Sequence, residues 1–212
     1  MKALILAGGY GTRLKPLSYT KPKLMFPIAN RPILEWTIES LSNYGIKDVI
    51  LAVNYMADTI ERHFGDSWKG VKISYSREKK SLGTGGPIKQ AEQLLVKDSK
   101  EPFIVLNGDI LSSINYKSLY QAHLNSGSKL TVALYEVVDP SRYGVVELNK
   151  EGRILRFVEK PRKDYVQSNI INAGVYVVDT RVLDCITQGE KVSLERHIFP
   201  KLVESGNLFG YP

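Results

Sequence analysis

Ala3-Leu4-Ile5-Leu6-Ala7 is an unbroken apolar run closed at once by Gly8-Gly9. A strand with no polar alternation must have both faces covered, which places it centrally in a parallel sheet with helices on either side. The segments that follow supply such helices and further strands. After a long polar loop, Asn30 is expected to cap a helix with Pro32 in its first turn, Ile33, Leu34, Ile38 and Leu41 at helical spacing, and Gly45 as terminator. The alternation then repeats, with a strand over 49–53, a helix over 56–64 ended by Gly65, a strand over 71–75, a helix over 87–95 and a strand over 103–106. This rhythm predicts an open α/β sheet. Past Asp109 the chain becomes strand-rich. A helix over 116–124 precedes strands over 130–138, 145–148, 154–158 and 175–178, with a hairpin turn at 149–152. A last helix over 194–203 is expected to break or kink at Pro200. No linker or internal repeat interrupts the chain, so one domain with a sheet extension is predicted.

Composition narrows the class. At 212 residues, 43% hydrophobic and 24% charged, the chain can bury a sizeable core and needs no disulfide or metal staple. No apolar run approaches the roughly 18 residues of a membrane span, and 3–7 is too short for a signal-peptide core, so a cytoplasmic protein without membrane partners is expected. Cys185 is the only cysteine, which excludes a disulfide framework and multi-cysteine metal sites; it is expected to pack inertly. Twenty-nine Lys and Arg against 22 Asp and Glu leave a net charge of +7, which favours anionic partners. The densest basic cluster, Arg77-Glu78-Lys79-Lys80, is short and the rest is scattered, so a phosphorylated small molecule is favoured over nucleic acid.

The first segment that bears on chemistry is Leu6-Ala7-Gly8-Gly9-Tyr10-Gly11-Thr12-Arg13-Leu14, leaving the carboxyl end of the first strand, where open α/β sheets bind their ligands. Its glycines let backbone N–H groups approach an anion, and Arg13 adds a fork of donors. Taken alone, Gly-Gly-x-Gly is a tight turn. Its spacing matches neither the dinucleotide pattern nor the Walker loop. Thr20-Lys21-Pro22-Lys23-Leu24-Met25-Phe26-Pro27 then sets two lysines in a span stiffened by proline, suited to holding a polyphosphate.

Together residues 4–36 resemble the sugar-1-phosphate nucleotidyltransferases, the nucleotide-sugar pyrophosphorylases. The resemblance implies a Rossmann-like open mixed sheet flanked by helices, with a nucleotide-binding part over about 1–110 and a strand-rich sugar-phosphate-binding part over about 111–212. It implies catalytic roles for Arg13, Lys23 and Asp109, with magnesium held by Asp109 at the end of a buried strand in Asn107-Gly108-Asp109. Nucleotide contacts would fall on Leu6, Ala7, Gly8, Gly9, Gly11 and Thr12, and on Gly83, Thr84 and Gly85 of Leu82-Gly83-Thr84-Gly85-Gly86-Pro87. Sugar-phosphate contacts would fall on Gly108, Gly144, Glu159, Lys160 and Asn172, within Tyr143-Gly144-Val145-Val146, Val158-Glu159-Lys160-Pro161 and Ile171-Asn172-Ala173-Gly174. A carboxylate at a strand's carboxyl end would share the loop's crevice, and magnesium takes oxygen ligands, so Asp109 also fits on physical grounds.

Other chemistries are disfavoured. His63, His123 and His197 lie far apart without ligand-spaced partners, and no Gly-x-Ser-x-Gly elbow occurs. The expected reaction joins a nucleoside monophosphate unit to a sugar 1-phosphate with release of diphosphate, and the motif variants resemble most the mannose-1-phosphate, GTP-using branch. Glucose 1-phosphate with UTP or dTTP is the alternative, as is a non-catalytic nucleotide-sensing or assembly relative. The family pattern is expected to continue past Gly210-Tyr211-Pro212 with a second metal-binding aspartate and, in many members, a β-helix domain, both expected to be absent from this chain. Its oligomeric state is left open, a homo-oligomer being one outcome.

Overall fold

The computed structural model describes residues 1–97, 99–162 and 168–212. The strands are β1 (Ala3–Leu6), β2 (Pro27–Ile28), β3 (Arg31–Pro32), β4 (Asp48–Val53), β5 (Ser67–Trp68), β6 (Val71–Arg77), β7 (Phe103–Asn107), β8 (Leu130–Glu136), β9 (Gly144–Leu148), β10 (Ile154–Glu159), β11 (Ile170–Val178) and β12 (Leu208–Tyr211). The helices are α1 (Ile33–Asn43), α2 (Ala57–Phe64), α3 (Gly86–Gln90), α4 (Glu92–Val96), α5 (Tyr116–Ser126) and α6 (Phe199–Glu204). Among the described residues, ten strands form one mixed sheet in the order β10-β9-β11-β7-β1-β4-β6-β5, with β8 on β11 and β12 on β8. As its unbroken apolar run requires, β1 is central, paired in parallel with β4 on one edge and β7 on the other.

Period-2 alternation along these strands sorts side chains into two cores. Ala3 and Ile5 of β1, with Leu51, Ile104 and Val177, meet α1, α2 and α5 on one face. Leu4, Ile50, Val105 and Tyr176 meet α3, α4 and α6 on the other. In α1 the buried positions Leu34, Thr37, Ile38 and Leu41 make one helical stripe. Leu34, Ile38 and Leu41 are fully buried, each worth roughly 1.5–3 kcal/mol. Gly45, at φ 83°, ends the helix. No helix among the described residues is long and apolar enough to cross a membrane.

Several expectations are corrected. Asn30 does not cap α1, whose N-terminal neighbour is Pro32. With Ala29 it has positive φ and forms the two-residue turn between β2 and β3, where Asn tolerates the left-handed conformation. The helix expected over 87–95 is two short helices parted at Ala91. The last helix starts as a π-helical turn, Leu194–Ile198, and becomes α-helical at Phe199, with Pro200 in its first turn. Cys185 is exposed at the end of the 3-10 turn Thr180–Cys185. The strand β12, parallel to β8, had no sequence signal strong enough to be predicted. The hairpin at 149–152 forms as expected, with Asn149 Oδ1 accepting the Glu151 and Arg153 N–H groups at 3.1 and 2.8 Å.

Candidate active site

The chain leaves β1 toward one edge and β7 toward the opposite one, so the carboxyl ends of these adjacent strands open a crevice at a topological switch point. The glycine loop after β1 and Asp109 after β7 enter it together. A cavity of about 380 Å³ is lined by Leu6, Ala7, Gly9, Gly11, Thr12, Arg13, Lys23 and Asp109, so residues spread over a hundred positions share one space. Lys23 Nζ donates to Asp109 Oδ2, which brings the predicted phosphate ligand and metal ligand into direct contact.

The loop is held from beneath. Gly11 has φ 59°, the left-handed region that favours glycine, and a Cβ there would be crowded at 3.2 Å from Ser18 Cβ. Tyr10 packs on Tyr55 with ring centroids 5.5 Å apart, and the Tyr55 hydroxyl donates to Ser18 O at 3.0 Å. Around Gly9, by contrast, a Cβ would meet nothing within 4 Å, so the loop's upper surface is open.

A second cavity of about 270 Å³ shares Leu6, Gly9 and Asp109 and adds Gly8, Glu78, Gly83, Thr84 and Asn107. Glu78 carries no motif and sits in a charge run that reads as solvated surface, so sequence reasoning passed over it. In the structure it follows β6 and is half-buried beside the glycine loop: a Cβ on Gly8 would lie 2.7 Å from Glu78 Oε1. Its Oε2 accepts the Leu82 N–H at 3.0 Å. Burial pushes its carboxyl above the usual range, opposed by that backbone hydrogen bond.

A third cavity, about 720 Å³, joins through Asn107 and is lined by residues 110–114 together with Leu134, Tyr135, Tyr143, Asn172 and Gly174. Asn172 is already engaged: its Oδ1 accepts the Gly174 N–H at 2.8 Å, and its Nδ2 donates to the buried Tyr176 hydroxyl at 3.0 Å. Tyr176, wholly buried, has its hydroxyl pushed far above the usual phenol range by desolvation.

Not every sequence candidate reaches these cavities. Gly85 is buried against Val192, and the space beside Gly108 is filled by Leu24 and the Leu6 carbonyl, so both are packing glycines. Gly144 is interior to β9, and a Cβ on it would lie 2.5 Å from Phe157 Cζ. Glu159 and Lys160 pair with each other at 3.4 Å, and the Lys160 N–H donates to Tyr143 O at 2.9 Å, which sets them beside Tyr143 at the third cavity's edge rather than in its lining. The histidines are structural or superficial: His63 pairs with Glu35, His123 is buried against Thr131, and His197 accepts the Ser193 N–H.

No group of three or more His, Cys, Asp or Glu side chains could enclose a metal among the described residues. One hard carboxylate at the meeting of the first two cavities, with a lysine as its counter-ion, fits magnesium, which keeps most of its shell for water and substrate phosphates.

Fold and crevice define an α/β domain with a glycine-loop crevice at the switch point and a larger cavity alongside it. The nucleotidyl transferase family pattern matches residues 2–211, and the chain belongs to that family. It is 45% identical over 212 residues to the mannose-1-phosphate guanyltransferase beta-B of Xenopus laevis, covering 99% of this chain and 58% of that one. It is 43% identical over 217 residues to the mannose-1-phosphate guanyltransferase of Saccharomyces cerevisiae, covering 100% and 58%. The chain thus spans 58% of the length of these curated relatives. Among solved structures it resembles HddC from Yersinia pseudotuberculosis complexed with GMP-PN, with a TM-score of 0.81 and 32% identity over 99% of this chain and 89% of that one.

Proposed function

We propose that this chain transfers GMP from GTP to mannose 1-phosphate, forming GDP-mannose and releasing diphosphate. The observation that carries the guanine half is Glu78, a carboxylate sharing one cavity with Gly8, Gly9 and Asp109. Guanine offers N1–H and its exocyclic amino group side by side, a donor pair that one carboxylate accepts with both oxygens. Uracil and thymine offer one N–H between two carbonyls, which a carboxylate repels. The mannose half is supported by the names of relatives at 43–45% identity.

In this reading the triphosphate lies over loop 8–14, with the Arg13 guanidinium and the Lys23 ammonium on the phosphates that leave. Lys23 exchanges its Asp109 partner for a phosphate oxygen as the nucleotide enters. Magnesium, held through Asp109, supplies neutralisation of phosphate charge when bound. A sugar-phosphate oxygen from the third cavity attacks the α-phosphorus in line; the new P–O bond forms as the bond to the bridging oxygen breaks, and diphosphate departs. Lys160 meets the incoming phosphate, with Glu159 and Asn172 placed toward the sugar. The side chains position and neutralise, and no protein nucleophile is required.

The test is diphosphate release from five nucleoside triphosphates against several sugar 1-phosphates, with and without chelator. GTP with mannose 1-phosphate should turn over fastest, and chelation should abolish it. Preference for UTP or dTTP would overturn the guanine assignment. Nucleotide binding without turnover of any pair would favour the non-catalytic reading.

A further inference from the structure

The base-facing loop 82–86 owes its shape to a segment more than a hundred residues downstream. Gly83 makes a parallel bridge to Val192, whose N–H donates to Leu82 O at 2.9 Å and whose carbonyl accepts the Gly85 N–H at 2.8 Å. The glycines allow this approach: a Cβ on Gly86 would lie 2.5 Å from Leu82 Cβ and 2.7 Å from Glu190 O. Thr84, half-buried and lining the nucleotide cavity, is the one residue with a side chain between Gly83 and Gly86. Its hydroxyl donates to Glu195 Oε2 at 2.7 Å, and its Oγ1 accepts the Leu194 N–H at 2.9 Å. The same Glu195 oxygen accepts the Ser193 hydroxyl at 2.6 Å.

Two consequences follow. The single hydroxyl proton of Thr84 is committed to Glu195, so the loop faces a ligand with backbone groups of Gly83 and Thr84 rather than with that hydroxyl. Glu195 stands on the π-helical turn Leu194–Ile198, a geometry less favourable than α-helix that recurs where side-chain placement matters. We infer that Glu195 is a positioning residue of the nucleotide site: by holding the Thr84 hydroxyl it fixes how far loop 82–86 reaches toward the base. A charged acceptor suits this task because its hydrogen bonds are about twice as strong as neutral ones. The inference rests on the nucleotide-site reading above.

The test compares Thr84→Val, Thr84→Ser and Glu195→Ala in the full chain, measuring the Kd of GTP by calorimetry, the KM of both substrates and thermal stability. Thr84→Val and Glu195→Ala should each raise the GTP Kd about tenfold, leave the KM for sugar phosphate within about twofold, and combine without adding. Thr84→Ser keeps the hydroxyl and should stay within about twofold of wild type. Lowered stability with unchanged GTP affinity of the folded fraction would overturn the inference, since that is what a merely structural contact produces. If Glu195→Ala fails to fold, Thr84→Val decides, because Glu195 keeps its Ser193 partner there. A wild-type chain that binds no nucleoside triphosphate would overturn the underlying site reading, and the inference with it. Wild-type binding matched by Thr84→Val would overturn the inference alone.

Discussion

Glu78→Gln tests base recognition most directly. The substitution keeps the size of the side chain and an oxygen to accept the Leu82 N–H, which Glu78 accepts at 3.0 Å, so the fold should be unaffected. It replaces one acceptor by a donor where the reading above places the guanine donor pair. Hydrogen bonds to a charged group contribute about 1.5–3 kcal/mol each, and half-burial of Glu78 limits competition from water. Losing one such bond and opposing two donors should lower kcat/KM for GTP by about 2–4 kcal/mol, or roughly 30- to 1000-fold. ITP, which lacks the exocyclic amino group, can make only one of the two bonds. Wild type should therefore prefer GTP over ITP by about 10- to 150-fold, and the variant should lose most of that preference. Because burial holds the Glu78 carboxyl above its usual range, GTP use should also weaken at a higher pH than for an ordinary glutamate as pH falls, the protonated acid being a poor acceptor for two donors. Steady-state diphosphate release with GTP, ITP and UTP at fixed sugar phosphate reads all three effects, with circular dichroism as the folding control. A Gln variant that discriminates GTP from ITP as well as wild type would refute the assignment.

Arg13→Ala should damage GTP use and kcat most, whereas Lys160→Ala should raise the KM for sugar phosphate most; equal damage to one substrate by both would contradict the division of roles. Gly86→Ala places a methyl against Leu82 and Glu190, so it should cost about 1–3 kcal/mol and lower Tm by roughly 2–12 °C in a thermal melt. A Cβ on Gly9 would meet nothing within 4 Å, so Gly9→Ala should leave Tm in place while weakening nucleotide affinity in a calorimetric titration. His123 is buried against Thr131, and burial, assisted by Arg181 and opposed by Asp179, lowers its pKa. The unfolded chain therefore takes up that proton first as pH falls below about 6.5, and stability should drop by up to about 1.4 kcal/mol per pH unit. Urea unfolding between neutral pH and about pH 5.5 should show this loss, with a shallower dependence in His123→Gln.

Sequence alone determined the central strand, the α/β alternation and the glycine loop that follows the strand. Each is a local statement: an unalternated apolar run at 3–7 can be buried only one way, and Gly11 needs a backbone that other residues resist. Arg13, Lys23 and Asp109 were legible because they stand beside such features, and the crevice brings them together. What the sequence could not show was which glycines open onto a cavity and which face another part of the chain. Gly9 opens onto a cavity, while Gly8, Gly85, Gly86, Gly108 and Gly144 admit Glu78, Val192, Glu190, Leu24 and Phe157. The motif is the same in both cases, because a missing side chain permits any close neighbour. Glu78 and Glu195 were invisible for a related reason: a carboxylate's role depends on what desolvates it and which donors it meets, and here those are Gly8, Leu82, Thr84 and Ser193. Thr84 and Glu195 are 111 positions apart, a separation that only the tertiary fold removes.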